Sequence, residues 1–259
     1  MPELLSEWTG LSTGLLALLF GAALLAGFID TLAGGGGLIT LPALILAGLP
    51  PLTALGINKL QGSVGTATAS WMMWRKGKLE QARVGTLMAM AFAGSVAGSL
   101  AIQFVDSQAL HWVIPTVLTL IAAWFLLAPA MNLQPGRARM GGKAYHRLVT
   151  PLIGAYDGAF GPGTGSFFTL AGVALRGHGL IDSTAIAKTL NFATNLAALL
   201  VFLVAGQVLW PVGLLMMAGQ LVGAWLGAHS LLRIDPRWLR LLIVGTSLAM
   251  LLRYLWQGD

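Results

Sequence analysis

Gly27-Phe-Ile-Asp30-Thr-Leu-Ala-Gly34-Gly-Gly-Gly37 places one carboxylate and four consecutive glycines at the end of an apolar run. A second stretch of the same design, Gly154-Ala-Tyr-Asp157-Gly-Ala-Phe-Gly161-Pro-Gly163, sets Asp157 127 residues after Asp30. Other matches follow in the same order. Asn58-Lys59-Leu60 aligns with Ala187-Lys188-Thr189, Gly94-x-x-x-Gly98 with Gly219-x-x-x-Gly223, and Asp106…Leu110 with Asp235…Leu239. The repeat unit is therefore about half of the chain.

Composition says what medium this repeat lives in. The chain has 259 residues, 56% of them hydrophobic and 9% charged, with no cysteine. Its mean hydropathy is +0.79. Soluble domains carry about 25% charged residues, so an ordinary water-soluble globule is excluded. Disorder is excluded by the hydrophobicity, and a collagen-like chain by the lack of any Gly-X-Y period. The net charge of +6 does not point to nucleic acid, because most of its charged residues fall in short loops between apolar runs. Without cysteine there are no disulfides, thiolate metal sites or thiol nucleophiles. Glu3 and Glu7 precede the first apolar run with no Lys or Arg, so that run is not expected to be a cleaved signal peptide.

Apolar runs lie at Leu11–Ile29, Leu38–Leu49, Ala54–Trp74, Val84–Val105 and Ala109–Ala130. After a basic stretch, Met131–Arg147, come Leu148–Phe160, Ser166–Leu175, Ala185–Ala205, Pro211–Leu232 and Trp238–Leu255. A full membrane span needs about 20 apolar residues. Leu38–Leu49 and the pair Leu148–Phe160/Ser166–Leu175 are short or interrupted by glycine and proline, and read as broken or re-entrant helices. Irregular backbone at membrane depth survives only when buried in protein or lining a watery cavity. With five segments per half, every Lys/Arg-bearing loop falls on one side and the connections near Pro50, Asp106 and Gly206–Trp210 on the other. Both termini are then expected outside.

The expected fold is an all-α polytopic membrane protein of two inverted five-segment repeats, residues 1–131 and 148–259, joined by a basic cytoplasmic linker at 132–147. An odd number of passes inverts the second copy. Inverted repeats with interrupted segments at matching positions mark secondary transporters, and the interruptions point to the binding site.

Four charges stand inside apolar runs: Asp30, Lys59, Asp157 and Lys188. An intramembrane charge costs at least ~2.5–3.5 kcal/mol on insertion scales, so each needs a partner, a cavity or a function. One reading makes them ligands. Lys59 and Lys188 supply positive charge, and the backbones of Gly36, Gly37, Gly163, Thr164 and Gly165 supply donors at two helix N-termini. Gln61 and Asn191 orient the bound anion, while Asp30 and Asp157 couple protons or cap helices. The bland reading closes two structural salt bridges within the halves, Asp30 with Lys59 and Asp157 with Lys188. Asn58, Asn195 and Gln220 are lesser candidates. No Gly-Lys-Ser/Thr follows either glycine run, which excludes a P-loop. Gly94/Gly98 and Gly219/Gly223 read as close helix crossings. No catalytic constellation or metal spacing is visible, so neither an enzyme nor a cofactor is expected.

At these residues the chain resembles the TauE/SafE family of anion permeases, and its YfcA-like branch in particular. The resemblance rests on Gly27–Gly37, Asn58–Gln61, Tyr156–Ser166 and Ala187–Asn191 taken together, and covers nearly the whole chain. It implies transport of sulfite, sulfonates or related sulfur-containing anions across the bacterial inner membrane, with export and proton coupling as expectations. The partners it implies are a small anionic substrate and the lipid bilayer; a homo-oligomer stays open. The rival classes are a passive anion channel and a non-transporting membrane scaffold.

Overall fold

The computed structural model describes residues 9–75, 77, 81–127 and 135–230, and every regular element among them is helical. Ser12 opens the first helix, α1 (Thr13–Ala33), by accepting a hydrogen bond from the Leu15 amide at 3.3 Å. Gly34 ends it in the left-handed region, φ +81°, with its N–H on the Asp30 carbonyl. Three residues later α2 (Gly37–Leu46) begins, only ten residues long and carrying Pro42. Pro51 then starts α3 (Pro51–Arg75), at a position where a missing N–H costs nothing. It is followed by α4 (Gln81–Gln103) and α5 (Ser107–Leu127).

Past the linker come α6 (Gly142–Ala144), a single widened π turn at Tyr145–Val149, and α7 (Thr150–Ala159). Pro151 explains the widening. It brings no N–H and its ring crowds the preceding turn, and an extra residue in the turn relieves both. The Thr150 hydroxyl donates to the Tyr145 carbonyl there at 3.2 Å. Gly161 and Gly163, at φ +101° and +79°, turn the chain into α8 (Thr164–Arg176). Gly177 ends that helix, and α9 (Leu180–Val204) and α10 (Trp210–Ser230) complete the described chain.

Among the described residues five helices are long and apolar enough to cross a membrane: α1, α4, α5, α9 and α10. α3 has the length, at 25 residues, but is less apolar, carrying Asn58, Lys59 and Gln61 within it. The short segments fall where the sequence interrupts its apolar runs. Trp238–Leu255, the Arg233–Arg240 loop, the Asp235…Leu239 match and residues 132–134 of the linker lie outside the described residues.

Glycines decide which helices meet. α4 packs along α7, and α1 along α10. A methyl added to Gly94 or Gly98 would overlap the Pro151 or Ala155 backbone of α7, and one on Gly154 or Gly158 would overlap Ala91 or Ser95 of α4. At the other crossing Gly219 and Gly223 lie against Phe20 and Leu24, and Gly27 against Gln220. Without a hydrophobic force between helices in lipid, close backbone approach supplies the attraction, and both Gly-x-x-x-Gly stripes are spent on it. α3 and α9 lie together between these pairs, α3 also touching α10 and α9 touching α4.

Candidate substrate site between two helix breaks

The two breaks touch. A Cβ on Gly34 would lie 2.7 Å from the Ser166 amide nitrogen and 2.9 Å from the Gly165 carbonyl carbon; one on Gly37 would lie 3.2 Å from Pro162 Cα. Gly34 needs to be glycine twice over, for its positive φ and for this crossing. The starts of α2 and α8 are thereby brought to one place, each with its partial positive charge.

The four intramembrane charges gather behind this crossing, and they pair across the halves. Lys59 Nζ lies 3.0 Å from Asp157 Oδ1 and also donates to the Asp157 carbonyl. Lys188 Nζ lies 3.8 Å from Asp30 Oδ2 and donates to the Asp30 carbonyl. The pairing expected within each half is therefore corrected. Each lysine comes from a continuous helix of one half and reaches the broken helix of the other, which a sequence numbered in one dimension cannot reveal. In doing so it places a cation on a carbonyl in the last turn of α1 or α7, where the helix dipole favours one.

The two pairs differ in setting. Lys59 and Asp157 are sealed, with side chains 0% and 1% exposed, and the Thr164 hydroxyl donates to the same Oδ1 at 2.9 Å. Asp157 Oδ2 is buried with no hydrogen-bond partner among the described residues. Asp30 is more open, its side chain 11% exposed, and its Oδ1 accepts from the Gly36 amide at 3.3 Å.

Asp30 lines a cavity of about 30 Å³. Its lining combines glycines of both breaks, Gly34, Gly36, Gly37, Gly161 and Gly163, with polar residues of α3, α9 and α10. Of the sequence-selected site residues, Gly36, Gly37, Gln61, Gly163, Asn191 and Asp30 line it. Lys59, Lys188, Asp157, Thr164 and Gly165 are not part of the lining. The wall also includes Thr40, Asn58, Gly62, Thr66, Asn195 and Gln220. The three amides among these stood out in the sequence as polar residues in apolar runs. Thr40 and Thr66 carried no signal, because threonine is unremarkable in a membrane helix.

Amides organise that polar wall. The Thr40 hydroxyl donates to Asn58 Oδ1 at 2.8 Å, and Gln61 Nε2 donates to the same oxygen at 3.2 Å. Asn195 Nδ2 donates to the Asn191 carbonyl and to Asn191 Oδ1, at 2.8 and 2.9 Å. Chemically the site offers backbone dipoles, amides and one carboxylate already balanced by a lysine. It suits binding a small polar solute. Among the described residues no group of His, Asp and Glu is placed to hold a metal ion.

Five apolar spans around a polar, glycine-walled cavity define a multi-pass membrane protein of the transporter class. Residues 19–254 match the family described as sulfite exporter TauE/SafE, and the chain belongs to that family. It is 44% identical over 241 residues to a "probable membrane transporter protein ORF9" of Sinorhizobium sp, covering 93% of this chain and 92% of that protein. A "probable membrane transporter protein" of Haemophilus influenzae is 42% identical over 236 residues, 91% and 92% of the two chains. The "probable membrane transporter protein YfcA" of Escherichia coli K12 is 39% identical over 244 residues, 94% and 91% of the two chains. No solved structure matches. The chain is a multi-pass protein of the bacterial inner membrane.

Proposed function

We propose that the chain is a secondary transporter that exports a small sulfur-containing oxyanion or organosulfonate, bound in the cavity between the two helix breaks. The observation that carries this is the crossing itself. Two helix starts and the glycine backbones of both breaks converge on one polar cavity in an otherwise apolar bundle. Gly36, Gly37 and Gly163 provide the backbone wall, and Gln61 and Asn191 orient the anion. Lys59 and Lys188 act from outside the lining, neutralising the two aspartates and capping the broken helices, so that the positive helix starts are not cancelled. Asp30, the more open of the two carboxylates, is the candidate proton carrier.

The same reading takes the halves as inverted repeats. Supporting it, the contacts are reciprocal: α1 with α10 and α7 with α4, each lysine on the other half's aspartate. A scaffold would need no cavity behind closed ion pairs, so the cavity favours transport.

Efflux from proteoliposomes loaded with sulfite, sulfoacetate or chloride tests the proposal. The sulfur anions are expected to leave faster when a pH gradient is imposed, chloride not at all, and Asn191→Ala to slow efflux at least about tenfold by removing one polar contact. Flux that follows voltage alone, indifferent to pH, would make the protein a channel. Normal rates in Asn191→Ala would remove the cavity from the pathway.

A further inference from the structure

Two buried oxygens on the cavity wall find no partner among the described residues. Gln61 and Gln220 are 1% and 3% exposed, and the Oε1 of each accepts no hydrogen bond from them. Gln61 Nε2 donates to Asn58 Oδ1 at 3.2 Å, and the atom of Gln61 left over is its oxygen. Gln220 joins it on the same face: a Cβ on Gly65, one turn beyond Gln61, would lie 2.5 Å from the Gln220 amide nitrogen. Between them Asn195 spends its Nδ2 on Asn191, and its Oδ1 would lie 2.9 Å from a Cβ on Gly62. This part of the lining is therefore rich in acceptors. An anion made only of acceptors leaves it unserved, and buried acceptors left unpaired are costly.

We propose that the cavity selects a small anion carrying its own O–H or N–H donor, and that the amide oxygens of Gln61 and Gln220 read that donor. This rests on the anion-site reading above and narrows its substrate class. The acidic or oxyanion end of the ligand faces the glycine backbones and helix starts, and its donor end faces α3 and α10. In the empty cavity water can serve the amides. A ligand that displaces water without a donor of its own forfeits those bonds.

Three sulfonates of nearly equal size test this on the full-length purified protein: ethanesulfonate, hydroxymethanesulfonate and aminomethanesulfonate. Binding is read by calorimetry in sodium-free buffer. The two donor-bearing compounds are expected to bind about tenfold tighter than ethanesulfonate, the worth of one buried hydrogen bond. That advantage is expected to collapse in Gln220→Met, which keeps length and loses the oxygen, and in Gln61→Met should either variant fold poorly. Equal binding of all three would overturn the inference and leave the anion site standing. A preference for aminomethanesulfonate alone that survives in both variants would also overturn it, since the Asp30 charge would be the cause. Ethanesulfonate binding that rises when sodium is added would overturn it too, because the oxygens would then hold a cation. Failure of any anion to bind would overturn the proposed function itself.

Discussion

Lys59 and Lys188 each stabilise an aspartate in the other half, and neither could take up another position without stranding a buried charge. Removing one partner of a buried pair costs about 3–5 kcal/mol, because the other charge is left uncompensated. Thus Lys59→Ala is expected to lower thermal stability sharply, and Asp157→Asn to restore part of it in the same chain. A double-mutant cycle makes the pairing visible. Lys59 and Asp157 should show a coupling of about 1–3 kcal/mol, while Lys59 and Asp30 should be additive within about 0.5 kcal/mol. Coupling of Lys59 to Asp30 instead would restore the pairing within one half. The sequence singled out these four residues because charge is expensive in an apolar run, and that logic needs no coordinates. Partnership does depend on coordinates, since the lysine nearest in sequence to Asp30 is not the one nearest in space.

At the scale of elements, helix ends and crossings were legible because glycine has few reasons to recur in apolar runs. Gly34, Gly161 and Gly163 do adopt positive φ at the breaks, and both Gly-x-x-x-Gly stripes do sit at crossings. What the pattern did not carry is the identity of the partner helix, nor that the glycines of one break would lie against the backbone of the other. α4 separates these effects within one helix. Gly98→Leu pushes a side chain into the Ala155 backbone, an overpacking penalty of about 1–3 kcal/mol or more. Gly85, exposed and with nothing near its Cβ position, tolerates the same change and gains up to about 1 kcal/mol of helix propensity. Thermal unfolding in detergent should show Gly98→Leu well below the parent and Gly85→Leu at or above it. Equal behaviour of the two would mean that the α4–α7 crossing is not a close one.

Across the whole molecule, the all-α membrane class followed from hydropathy alone, but α3 shows where hydropathy stops. It is as long as α9, yet its Asn58, Lys59 and Gln61 make it the least apolar of the long helices, because it builds the cavity wall. Orientation is the property that loop charge argues for and that packing does not address. The absence of cysteine makes it measurable, since single cysteines can be introduced into a background with nothing else to label. If the halves are inverted, the α2–α3 turn at Gly48 and the α9–α10 turn at Gly206, both at positive φ with open space around them, end on the same outer side. Arg139 in the linker and His178 between α8 and α9 then end on the inner side, where Lys and Arg accumulate. A membrane-impermeant maleimide added to intact spheroplasts is expected to label Gly48→Cys and Gly206→Cys. Arg139→Cys and His178→Cys should react only after permeabilisation. Labelling of Gly48→Cys and Gly206→Cys from opposite sides would leave the sequence repeat intact but make its two copies parallel. The cavity would then lose the symmetry that lets one site face each side of the membrane in turn.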